Sequence, residues 1–153
     1  MKKNSILIVL LVLVLDLLSK HYAQIYLEHS LPMVIIPNFF ELTYVVNTGA
    51  AWSILQGQKA FFIIISIVVS FALVYYIYQE DKRILIIALS LMLGGTLGNL
   101  YDRIFHGHVR DMLSFYIFSY PFPVFNIADS ALVIGVALII LEMIISERRS
   151  LHE

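Results

Sequence analysis

The sequence predicts an all-α membrane protein, with four transmembrane helices and a small external β-sheet and loop region at the membrane surface. Three observations predict it. The 153 residues are 60% hydrophobic with a mean hydropathy of +0.87, against about 45–50% apolar in an ordinary soluble domain. Only 14% of them are charged. Four apolar runs, about 5–22, 60–78, 84–100 and 127–145, each have the length that crosses a bilayer core as a helix. A chain this small cannot bury so much apolar surface in a core of its own, so lipid takes the excess.

The elements follow in order. Lys2 and Lys3 precede the first run as they would in a cleaved leader, but no small-residue cleavage site follows; Asp16, Leu17, Leu18, Ser19 and Lys20 come instead, so the run is read as a retained helix. The first long loop, about 23–59, contains Pro32, Pro37 and a β-favouring run from Phe39 to Val46, which predicts a small sheet lying on the membrane. The second and third runs are joined by a tight turn carrying Lys82 and Arg83. The second long loop, about 101–126, is rich in aromatic residues (Phe115, Tyr116, Phe118, Tyr120, Phe122, Phe125), as expected at headgroup level. Basic pairs at Lys2 and Lys3, Lys82 and Arg83, and Arg148 and Arg149 fall on one side of four spans, which makes that side and both termini cytoplasmic and the two long loops external. Lys20, Lys59, Arg103 and Arg110 lie on the other side and make the bias modest. Residues 1–153 read as a single domain, without repeat or low-complexity tract. A net charge of -1 gives no basic surface for nucleic acid. The absence of cysteine excludes disulfides, thiolate metal sites, a thiol nucleophile and a lipid-modified cysteine on this chain.

Polar residues within spans are placed sparingly, because an aspartate at a helix centre costs about 2.5–3.5 kcal/mol on insertion scales. Their placement is therefore informative. Asp16 and Lys20 fall near the external end of the first helix, Asn99, Asp102 and Arg103 at that of the third, Asp111 in the second loop, and Asn126 and Asp129 at the start of the fourth. Four of the five aspartates thus gather at one membrane surface, Asp81 being the exception. Asp16 and Lys20 are four apart and share a helix face, as do Asn99 and Arg103. Each pair alone also fits an interfacial anchor or a structural ion pair; the whole set points to a connected polar site. Gly94, Gly95 and Gly98 read first as close helix packing. Asn47, ending the strand, offers both donor and acceptor, and Gly49 after it allows close approach or simply turns the chain. His106 and His108 read as a solvated turn rather than a metal site, and Glu142 as a packing or snorkelling residue.

Five segments in order carry a resemblance: Asp16-Leu-Leu-Ser-Lys20, Asn47-Thr-Gly-Ala-Ala-Trp52, Gly98-Asn-Leu-Tyr-Asp-Arg103, Gly107-His-Val-Arg-Asp-Met112 and Phe125-Asn-Ile-Ala-Asp-Ser130. Along nearly its whole length the chain resembles the bacterial lipoprotein signal peptidases (signal peptidase II). The resemblance implies a membrane aspartic endopeptidase that cleaves diacylglyceryl-modified prolipoproteins on the N-terminal side of the lipidated cysteine. It implies that Asp111 and Asp129 are the catalytic pair and that Asp16, Lys20, Asn47, Gly49, Asn99, Arg103 and Asn126 shape or support the site, with Asp102 joining this set beside Arg103. The partners it implies are prolipoprotein substrates and membrane lipid, in the bacterial cell membrane, with a monomeric chain and no metal or cofactor. Two departures are Arg110, where the family usually has an aliphatic residue, and Leu17, where a polar residue often follows the aspartate.

Two carboxylates held close cannot both ionise cheaply, so a shared proton makes one a base and the other an acid at the same pH. Asn126, one turn before Asp129, is expected to orient that carboxylate, and Lys20 and Arg103 to neutralise Asp16 and Asp102. Three other readings compete: an ion-coupled transporter, a Mg²⁺-dependent lipid phosphotransferase using Asp102, Asp111 and Asp129, and an assembly subunit with a structural polar cluster. The transporter reading wants polar residues across the membrane, yet the second span offers only serines and tyrosines.

Overall fold

The computed structural model describes residues 3–49, 55–118 and 120–150. Ala50, Ala51 and Trp52 of the second motif, and Lys2 of the first basic pair, lie outside them. The elements run α1 (Lys3–Leu27), β1 (Met33–Ile36), β2 (Phe40–Asn47), α2 (Lys59–Gln79), α3 (Arg83–Phe105), β3 (Val109–Ile117), β4 (Tyr120–Pro121) and α4 (Ile127–Ser150). Among the described residues, all four helices are long and apolar enough to cross a membrane. α1 and α3 each run five residues past the apolar stretches ending at 22 and 100, so both long loops are shorter than their apolar boundaries suggest. The reason lies in packing: Ala23 and Leu27 are still covered, by Met112 of β3, and this contact carries α1 beyond its apolar run.

α3 is the central helix. Half of its most apolar stretch is buried, against 11% for α2, so α2 lies on the outside of the bundle with most of its surface toward lipid. On α1 the buried residues are Ser5, Val9, Val12, Asp16, Lys20, Ala23 and Leu27. They recur every three or four residues, which is one helix face. The opposite face exposes Leu7, Leu11 and Leu18. Because lipid is as apolar as leucine, close backbone approach and hydrogen bonds hold such helices together. The glycines of α3 provide the approach. A methyl group at Gly94 would come within 2.8 Å of the Val12 Cβ, and one at Gly95 or Gly98 would overlap the Ala128 carbonyl oxygen or the Asp16 carboxylate.

The four strands form one antiparallel sheet in chain order at the end of the bundle where α1 and α3 finish. The predicted β-run at Phe39 to Val46 is β2, but its longest partner, β3, falls in the stretch read as an aromatic membrane-surface loop. Phe115 and Tyr116 favour strands as readily as interfaces, and Phe115 stacks on Phe40 and Phe125. Gly107, at φ +85°, turns the end of α3 into β3. Its N–H and that of His106 both donate to the Asp102 carbonyl oxygen, satisfying the end of the helix.

Candidate active site

The register of β2 on β3 sets Val45 opposite Asp111 and Asn47 opposite Val109. These four side chains share a sheet face and line a cleft of about 1130 Å³. Ile65, Ser66 and Val69 of α2 form one wall, Leu132, Val133 and Ile134 of α4 the other, and Asn99, Arg103, Asp111 and Asp129 sit among the polar groups. A largely apolar cleft with a few convergent polar groups is the usual form of a binding site.

Asp111 and Asp129 meet at Asn126. The Asn126 Nδ2 donates to Asp111 Oδ1 at 2.6 Å, and its backbone N–H donates to Asp129 Oδ2 at 3.3 Å. In return the Asp129 N–H donates to Asn126 Oδ1 at 2.9 Å, so Asn126 and Asp129 cap the start of α4 reciprocally. The spacing of three places both groups for this, so the Asn126 backbone N–H reaches the Asp129 carboxylate while its side-chain N–H goes to Asp111. Asn47 donates to Asp111 Oδ2 at 3.0 Å, and Asn99 donates to Asp129 Oδ1 at 2.7 Å. All four oxygens of the two carboxylates therefore accept from neutral amides. Asn47 is itself held by the Gly49 N–H on its Oδ1 at 2.9 Å, a tight Asx turn. Asp111 is 1% exposed. Burial first, then the nearby charge of Asp129, pushes its carboxyl from 3.8 up to about 6.

A second pair of carboxylates lies beneath the first. Asp16 and Asp102 are fully buried, as is Lys20, whose Nζ is 2.7 Å from Asp16 Oδ2, 3.5 Å from Asp102 Oδ2 and 3.0 Å from Asn99 Oδ1. Asp16 Oδ1 accepts the Ala128 N–H at 2.9 Å, so a side chain of α1 holds the first turn of α4, where a negative group is favourable. Sequence assigned Arg103 to Asp102. Instead Arg110 takes Asp102, at 2.7 Å from Nη2 to Oδ1. Arg103 reaches toward the cleft, donating to the carbonyl oxygens of Gly49 (3.2 Å) and Asn99 (3.5 Å) and stacking over Phe62. Adjacent residues of a helix do not face each other, so Arg103 points away from Asp102, whereas the Gly107 turn folds Arg110 back over Asp102. In the sequence Arg110 stood out as a basic residue of the external side and as a departure from the family pattern; in the structure it lies in the buried first part of β3.

His106 is exposed and its ring centroid lies 6.3 Å from that of His108. At the far end of the bundle Glu142 accepts from Lys82 at 2.8 Å, joining α4 to the turn before α3.

Comparison with known proteins agrees with this architecture. The family described as Signal peptidase (SPase) II matches residues 8–145. The lipoprotein signal peptidase of Halalkalibacterium halodurans is 41% identical over 149 residues, covering 96% of both chains. That of Staphylococcus aureus is 42% identical over 143 residues, covering 92% of this chain and 88% of its own. A bacterial membrane enzyme solved by the in meso method at 2.3 Å resolution superposes with a TM-score of 0.87 at 40% identity, covering 94% of this chain and 89% of that one. A second, at 1.9 Å resolution, gives a TM-score of 0.84 at 40% identity and 94% of each chain.

Proposed function

The chain belongs to the signal peptidase II family, a family of membrane proteases, and from that premise we propose that it removes the signal peptide of diacylglyceryl-modified prolipoproteins with Asp111 and Asp129 as its catalytic pair. The observation that carries the proposal is the single asparagine, Asn126, bonded to both carboxylates at the edge of an apolar cleft.

The chemistry follows from the bonding. Neutral amide donors stabilise a carboxylate without a fixed counter-charge, so the proton raised onto Asp111 is held by burial and by its negative neighbour. One aspartate then takes a proton from an attacking water while the other gives its proton to the scissile carbonyl oxygen; as the tetrahedral intermediate collapses, the first passes the water's proton to the leaving amine and the second recovers its own from the intermediate's hydroxyl. The roles of acid and base belong to the pair. Substrate is positioned by lipid: its signal helix lies in the bilayer and its acyl chains lie along the apolar walls formed by α2 and α4. In this reading the site lies near the external face of the bacterial cytoplasmic membrane, both termini are cytoplasmic, and the whole chain works as one monomeric unit.

Incubating the purified protein in lipid with a diacylglyceryl prolipoprotein tests this. The expected product begins at the lipidated cysteine, read by mass spectrometry, and its rate is unchanged by a chelator. A full-length substrate at the end of the reaction, or cleavage that stops when divalent metal is removed, contradicts it.

A further inference from the structure

Arg110 has no part in the chemistry above, yet its side chain is only 4% exposed. Alternation along β3 sends Asp111 into the cleft and Arg110 to the opposite face, against α1 and α3. There its guanidinium forks onto one carboxylate: Nη2 to Asp102 Oδ1 at 2.7 Å and Nε to Oδ2 at 3.3 Å. The Arg110 backbone N–H adds a third bond to Oδ2 at 3.0 Å, and Nη1 donates to Gln24 Oε1 of α1 at 3.0 Å. A buried guanidinium is unfavourable unless its donors find partners like these, whereas an aliphatic side chain would fill the position with packing alone.

The consequence runs through Lys20. With Asp102 taken up by Arg110, the Lys20 ammonium keeps its shorter contacts to Asp16 and to Asn99 Oδ1. Lys20 on the oxygen of the Asn99 amide turns its nitrogen toward Asp129 Oδ1. Asn126 donates to the same Asn99 oxygen at 3.2 Å, so the orientation of Asn99 is set from two sides.

We propose that Arg110 is a positioning residue for the aspartate pair, an inference that rests on the assignment of Asp111 and Asp129 above. By holding Asp102 it keeps Lys20 on Asn99 and Asn99 on Asp129, and it ties β3, with Asp111 next in the chain, to α1 and α3. Without it Lys20 is drawn to an unbalanced Asp102, and the support of Asp129 loosens while the cleft walls stay as they are.

The test compares the parent chain, Asp111→Asn, Arg110→Met and the double variant Asp102→Asn with Arg110→Met in the lipid cleavage assay. Arg110→Met is expected to lose about 10- to 100-fold in kcat with KM changed by less than about 2-fold, the pattern of a lost transition-state contact. The double variant removes the stranded carboxylate too and is expected to run about 10-fold faster than Arg110→Met, a coupling that independent sites do not show. Parental kcat in Arg110→Met, or a double variant no faster than it, overturns the inference. Should Arg110→Met fail to fold, the double variant decides alone: folding and cleaving supports the proposal, and failing at either overturns it. A parent that does not cleave, or an Asp111→Asn variant that cleaves like the parent, defeats the assignment of the aspartates, and the inference falls with it.

Discussion

Two pairs of carboxylates lie one beneath the other in this protein, and they are supported in opposite ways. Asp16 and Asp102 bond to cations, Lys20 and Arg110. Asp111 and Asp129 bond to the amides of Asn47, Asn99 and Asn126. The cation-bonded carboxylates serve as struts: Asp16 holds the start of α4 and Asp102 the start of β3. Amide-bonded carboxylates keep their geometry while remaining able to take up or release a proton. The lower pair positions the upper one through Lys20 and Asn99. A third arrangement, the Lys82 and Glu142 pair at the far end, joins opposite charges in an exposed setting, where such pairs contribute little.

The lower pair is the place to break that arrangement most severely. Lys20→Met leaves Asp16 without its cation and Asp102 with Arg110 alone, and the expected loss is about 3–5 kcal/mol of stability. Thermal unfolding in lipid checks it, and an unchanged midpoint would show that Lys20 is dispensable. Gly98→Ala comes next. Its new methyl group overlaps the Asp16 carboxylate, and the expected cost is about 1–3 kcal/mol, seen as a lower midpoint together with slower cleavage.

The upper pair is sharpened by pH. The folded chain holds the Asp111 proton up to about 6 where an ordinary aspartate loses it near 3.8. Because the folded state binds this proton more tightly than the unfolded chain, the stability contributed by this group is present at low pH and is lost as pH climbs through that window. The single-proton form of the pair is lost over the same upper range, so kcat/KM is expected to fall on the alkaline side from about 6 upward. Asn47→Leu removes a bond that favours the ionised form of Asp111 and moves this alkaline limb to higher pH, a shift read from the rate profile. Glu142→Gln is the smallest change: cleavage and melting are expected to match the parent within error, and a large loss would mean that the far end is coupled to the site.

Much of this was legible in the chain itself, and the boundary is physical. A run of about twenty apolar residues is a local signal, so the four spans are visible directly. The gathering of Asp16, Asp102, Asp111 and Asp129 follows from counting spans, since Asp102 and Asp129 lie near helix ends, Asp111 in the loop between them and Asp16 in the outer half of the first apolar run. The side-chain pairing of Asp16 with Lys20 follows from helix periodicity. What stayed hidden depends on approach between distant segments. The Ala128 N–H on Asp16 joins residues 112 apart, and only the folded packing of α1 on α4 creates it. β3 was obscured because its aromatic residues suit a strand and a membrane interface equally well. The Arg110 fork on Asp102 crosses the Gly107 turn, beyond the reach of helix spacing, whereas Arg103 stands next to Asp102 in the chain and was the cation expected there.

The central claim is that Asp111 and Asp129 act as one chemical unit. Its most direct test measures cleavage of a diacylglyceryl prolipoprotein by Asp111→Asn, Asp129→Asn and the double variant, each first shown to fold in lipid. Residues that work as a unit are grossly non-additive: each single variant is expected to lose about 10³-fold or more in kcat, and the double variant to be no slower than either. A single variant that cleaves at near the parental rate, or two moderate losses that simply multiply in the double, would contradict the account.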